Sequence, residues 1–113
     1  MKIVTIGVDD MDVVFARAHA AARGKPQGAR ISFASPELLF RLLTTKRWEI
    51  VRAMTGAGPL SIRETARRVG RDVKAVHGDV QALLKAGVLR KTDDGRVIFP
   101  FDAIRVDVLL KAA

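Results

Sequence analysis

Residues 61–100 read SIRETARRVGRDVKAVHGDVQALLKAGVLRKTDDGRVIFP, and the punctuation of this stretch decides the fold. Ser61-Ile62-Arg63-Glu64 has the form of a capping box, in which each polar side chain satisfies a backbone N–H near the other. It predicts a short helix to Val69 with Ile62, Ala66 and Val69 turned inward. Gly70 stops that helix and permits a tight turn, and Asp72 caps a second helix over 73–86 that Gly87 ends. A strand at 88–91, a hairpin turn at Asp93-Asp94-Gly95 and a returning strand at 96–99 follow, closed by Pro100.

Two short helices joined by a glycine turn, then a hairpin carrying basic residues, form the layout of a winged helix-turn-helix. In that arrangement one helix enters a major groove about 12 Å wide while its neighbour holds it there. At about 100° per residue, Val73, Val76, Val80, Leu83 and Leu84 gather on the inner side of helix 73–86. Lys74, Ala75, Gly78, Gln81, Ala82 and Lys85 lie opposite, with His77 and Asp79 at the margins. The outer face is small or long and polar, which suits close approach to DNA. Gln81 has the geometry to read adenine, and Lys74 or His77 to meet guanine or phosphate. His77 serves either such a contact or a structural hydrogen bond at the core edge, and Asp79 orients Arg71 or another arginine. Gly78 costs about 1 kcal/mol relative to alanine in mid-helix, which either close packing or drift at an exposed site explains.

Further DNA contacts are expected from Ser61 and Arg63 at the start of the first helix, Arg71 in the turn, and Arg96 just after the wing tip. Arg68 stands four residues after Glu64, the spacing of a surface ion pair.

Outward from this stretch, residues 46–55 read as a helix capped by Thr45, with Trp48, Val51 and Met54 on one face and Ile50 beside it. Ser35-Pro36-Glu37 opens an earlier helix with Leu38, Leu39, Leu42 and Leu43 as its buried stripe. Before it stand a strand at 2–8, a helix at 11–23 capped by Asp9 and Asp10, a loop at Lys25-Pro26-Gln27-Gly28 and a strand at 29–34. The alternation of Ile104, Val106 and Val108 predicts a last strand within 103–110. The fold class is therefore α+β, with a three-helix core and β-hairpin wing at 36–100. A β-α-β extension occupies 1–35 and a terminal strand lies in 101–113. Three strands standing alone would leave open edges, so both flanks are expected to form a dimerisation sheet, giving a homodimer for a near-palindromic operator.

The chain has 113 residues and a net charge of +8. Residues 36–100 hold thirteen basic against seven acidic groups, a net +6. A basic domain this small favours a polyanionic partner, because each neutralised phosphate releases condensed counterions. There is no cysteine, which excludes disulfides and thiolate metal sites. Only His19 and His77 are available as imidazoles, and no catalytic, metal or cofactor pattern surrounds them. Asp9, Asp10 and Asp12 read as helix capping. No apolar run approaches the roughly 20 residues of a membrane span, and residues 1–8 lack the features of an export signal, so a cytoplasmic location with no membrane partner is expected.

Within residues 60–106, Arg71, Asp72, Val76, His77, Asp79, Val80, Leu83, Gly87, Gly95, Pro100 and Ile104 resemble the pattern of the MarR-like winged-helix regulators of bacteria and archaea. Ala75 and Gly78 depart from it, since that pattern tends to carry polar or basic groups there. The resemblance implies binding to double-stranded DNA and autoregulation as a repressor. It also implies an antitoxin role toward a partner toxin protein, which gives the alternative of a protein-interaction module.

Overall fold

A computed structural model of the protein describes residues 1–25 and 28–112. The loop expected at Pro26 and Gln27, and Ala113 at the end of the C-terminal segment, lie outside the described residues. The fold is α+β. In chain order it consists of β1 (Ile3–Val8), α1 (Met11–Ala22), β2 (Ala29–Phe33), α2 (Pro36–Leu42), α3 (Thr45–Met54), α4 (Ile62–Val69), α5 (Val73–Lys85), β3 (Arg90–Lys91), β4 (Val97–Ile98) and β5 (Ala103–Asp107).

The three flanking strands pair with one another inside a single chain, in the order β2-β1-β5. Both pairings are parallel, with Ile6 opposite Ile31 on one side and Val106 on the other. Parallel neighbours need crossover connections. Here α1 joins β1 to β2, and the remaining helices with the β3–β4 hairpin form the long connection from β2 to β5. The three flanking strands thus already share one sheet within the chain: β1 is central, and only the outer edges of β2 and β5 lack a strand partner among the described residues.

One face of the sheet supplies Val4 to the core, with Ile31, Phe33 and Ile104 packed beside it. On the other face Arg30 donates to Asp9 through Nε and Nη2, and Ser32 Oγ donates to the same carboxylate. Asp9 is thus held by the strand face, and Asp10 alone caps α1 by accepting from the Val13 N–H at 2.9 Å. Gly7 sits under this bridge: a Cβ there would come within 2.5 Å of the Arg30 guanidinium and 2.8 Å of the Asp107 carbonyl. The strand needs glycine at that point for close approach.

The sheet and the helices share one core. Ile50, Val51 and Met54 of α3, Ala66 of α4, and Val76, Val80 and Leu83 of α5 bury against Val88, Leu89, Val97 and Phe99. Trp48 is only half-buried, so the α3 face is Ile50, Val51 and Met54. Thr44, not Thr45, caps α3, accepting from the Arg47 N–H. In α2 only Leu39 is fully buried. Leu38 leaves the expected stripe for the rim of a recess lined by Phe33, Leu42 and Arg47, because a helix of 7 residues covers little of the sheet. The hairpin strands are shorter than expected, and Leu60 adds an antiparallel bridge to Val97. β5 ends at Asp107, and residues 108–110 have no strand pairing. No helix among the described residues is long and apolar enough to cross a membrane.

Candidate nucleic-acid interface

The α4–α5 turn follows from two local choices. Ser61 Oγ accepts from the Glu64 N–H at 3.0 Å, and Gly70 takes the left-handed conformation, φ 67°, that a side chain would resist. The capping box is half made: Glu64 turns away from Ser61 and pairs with Arg67 and Arg68 at 3.0 and 3.3 Å. Two cationic neighbours on the same helix face outcompete one backbone N–H. Asp72 then caps α5 by accepting from the N–H groups of Lys74 and Ala75.

These turns bring the starts of α4 and α5 beside the hairpin turn. A groove of about 620 Å³ lies between them, lined by Ser61, Ile62, Arg63, Val73, Lys74 and His77, with Asp72 and Gly95 at its margins. Two helix N-termini meet here, each with a partial positive charge, and part of their first-turn N–H groups is already taken by the Ser61 hydroxyl and the Asp72 carboxylate. Val73, expected inward, is 44% exposed and forms an apolar wall of the groove. It is the first residue of α5, before the core closes around Val76.

Ser61, Arg63, Lys74 and His77 thus line the groove, as a nucleic-acid surface would require. Ala75, Gly78, Gln81 and Lys85 are exposed farther along α5. Lys74, Gly78, Gln81 and Lys85 follow the spacing i, i+4, i+7, i+11, one stripe on the side opposite Val76, Val80 and Leu83. Arg63, Lys74 and Lys85 make no ion pair with any described residue. His77 is exposed, and its ring has no hydrogen-bond partner among the described residues, which removes the core-edge alternative.

Arg71 and Arg96 are directed elsewhere. Arg71 donates from Nη2 to Asp79 at 2.9 Å and is only 18% exposed. Its Nη1 is buried without a partner. Arg96 bridges Asp94 at 2.8 Å, and Asp94 also accepts from Thr92 Oγ1. The Thr92 hydroxyl and then Arg96 hold the Asp94 carboxyl below its ordinary value. Arg96 therefore braces the hairpin turn, where its side chain stays 48% exposed.

Arg47 escaped the sequence reading. It donates from Nε to Asp79 at 3.0 Å and from Nη1 to the Leu42 carbonyl at 3.2 Å. Asp79, 19% exposed, therefore joins α3, the α4–α5 turn and α5 at one point. Burial pushes its carboxyl up, but hydrogen bonds from Arg71 and Arg47, with their charges, outweigh that and leave it below its ordinary value. The bridge ties α5, whose inward face is set by Val76, Val80 and Leu83, to α3 and to the α4–α5 turn. Arg47 and Asp79 stand 32 residues apart, a separation with no local pattern to find. The other half was legible, since Asp79 was expected to orient Arg71.

A Cβ at Gly78 would meet nothing within 4 Å, so packing within the chain does not require this glycine. Gly78→Ala is expected to stabilise the protein by about 1 kcal/mol through helix propensity, raising the thermal midpoint by a few degrees. An unchanged or lower midpoint in calorimetry would contradict this.

Among the described residues, no three His, Cys, Asp or Glu side chains gather as a metal site would need. A family model, HVO_A0114, matches residues 42–106, which is more than half of the chain and includes the whole groove. No curated protein matches the chain.

Proposed function

The chain belongs to the HVO_A0114 family, and we propose that it is a sequence-specific DNA-binding transcriptional regulator, an autorepressor acting as a dimer. In this reading residues 36–100 are a winged helix-turn-helix, with α5 in the major groove and the β3–β4 hairpin as its wing. The carrying observation is the exposed stripe of α5, small or polar throughout, which runs from Lys74 to Lys85, with Arg63 and Lys74 beside the starts of α4 and α5. Small residues at Ala75 and Gly78 permit close approach to base edges, and Gln81 supplies a bidentate group for adenine. Val73 and Ile62 offer apolar contact to a thymine methyl.

The test is binding to the DNA upstream of the protein's own coding sequence against random duplex, at roughly 50 and 200 mM salt. Three phosphate contacts per chain predict a slope of log K against log salt of about −3 per subunit, a fall of roughly fifty-fold over that range. Gln81→Ala is expected to change sequence preference, whereas Arg63→Ala weakens all duplexes alike and reduces the slope by about 1. Equal affinity for upstream and random duplex would overturn the reading.

A second reading, a module that neutralises a partner toxin protein, is favoured by α1. None of its residues is buried, and Phe15 is 64% exposed with Met11 and Val13 also open. Phe15→Ser should then abolish neutralisation while leaving duplex affinity intact; loss of duplex affinity instead would tie α1 to the DNA-binding unit.

A further inference from the structure

The outer edge of β5 carries a pattern that is complementary to itself. Ala103 donates its N–H to the Lys2 carbonyl, toward β1. Backbone groups alternate along a strand, so the N–H and C=O of Ile104 and Val106 point to the free edge. Arg105, Val106 and Asp107 are all exposed, with Val106 47% open. Isolated edges in monomers are commonly guarded by charged side chains, lysine above all, or by proline. This one instead places a cation and an anion symmetrically about a valine.

We infer that β5 pairs antiparallel with β5 of a second copy, centred on Val106, joining two three-stranded sheets into one of six strands. This deepens the dimeric part of the function proposed above. Charge selects the register. With Val106 opposite its own copy, each Arg105 stands opposite the partner's Asp107, in the closely spaced non-hydrogen-bonded positions where side chains interact most. Sliding to a centre at Arg105 would set arginine against arginine, and a centre at Asp107 would set aspartate against aspartate. Only the Val106 register satisfies both charges, and it does so twice about the two-fold axis.

Apolar complementarity agrees. In this register the partner's Val108 lies opposite Ile104, which borders a recess formed with Trp48 and Thr55. Val106 itself borders a groove of about 340 Å³ with Leu39, Phe40, Leu43 and Trp48. The partner's Val106 and Val108 would cover these surfaces. The β2 edge offers no equivalent: centred on Ile31 it would oppose Arg30 to Ser32, and both already bind Asp9.

The test is sedimentation equilibrium of the full chain without DNA, at about 0.1 M salt. The wild type is expected to be a dimer. Arg105→Asp and Asp107→Arg each convert two attractive pairs into two repulsive ones, so each should weaken self-association at least about tenfold. The double variant R105D/D107R should recover it. Mixing the two single variants should give a heterodimer, because every cross-strand pair is then opposite in charge. This arm keeps the test decisive should the double variant fold poorly, and circular dichroism checks each chain. A dimer indifferent to both reversals would overturn the β5 register while leaving the dimeric reading intact. A wild-type monomer would overturn both, and DNA binding would still be judged by its own assay.

Discussion

Replacing Asp79 by asparagine is expected to lower the free energy of unfolding by about 2–3 kcal/mol near neutral pH. The carboxylate accepts from both Arg47 and Arg71, and all three groups are mostly buried. Removing one member of such a cluster leaves charges without their counter-charge, the expensive way to break an ion pair, and hydrogen bonds to charged groups are worth about 1.5–3 kcal/mol each. Partial exposure keeps the estimate below that for a fully buried pair. The pH dependence has a definite sign. The folded carboxyl is held below its ordinary value, so its contribution is complete above the ordinary aspartate range of roughly 3.9 and is lost as the pH falls through the lower folded value. Urea midpoints of wild type and Asp79→Asn should therefore differ widely at neutral pH and converge in acid. A gap that stays constant would exclude the carboxylate as its source. Under the proposed function the same substitution loosens the seat of α5 against α3 and the α4–α5 turn, so duplex affinity should fall although Asp79 itself would touch no base.

Phe99→Ala should be larger still, about 3–5 kcal/mol. Phe99 is fully buried where the hairpin enters the core, and its ring meets Phe101 edge-on at 5.1 Å. That aromatic pair accounts for about 0.5–1.5 kcal/mol of the loss, and the cavity and transfer terms for the rest. The urea midpoint should fall with the slope nearly unchanged. A loss below about 1 kcal/mol would mean that the hairpin is not part of the cooperative core. Phe99→Leu, which refills part of the cavity, should recover part of the stability.

These two positions differ in how far they could be read in advance. Phe99 stands at the end of the returning strand expected at 96–99, and its burial is seen in the structure. Asp79 stood at the margin of a helical wheel, with a role toward Arg71 but no visible link to Arg47. The same division runs through the groove. Lys74, Gly78, Gln81 and Lys85 share a face by helical geometry alone, and the structure keeps them exposed together. Arg71 was expected to meet Asp79 and does, whereas Arg96 was read only as a contact for DNA and pairs with Asp94.

The stretch 61–100 by itself determined the α4–α5 helix pair, its glycine turn and the hairpin. Caps, left-handed glycines and helical periodicity are local, acting within three or four residues, so they are written where they act. The tertiary structure alone decided that Arg47 and Arg71 converge on Asp79 and how the flanking strands pair. Those outcomes depend on competition among charges and edges far apart in the chain. Arg47 reaches Asp79 across 32 residues, and β1 finds β5 across nearly the whole molecule. Only the folded backbone brings such groups within hydrogen-bonding distance, and the nearest well-placed partner then takes each one.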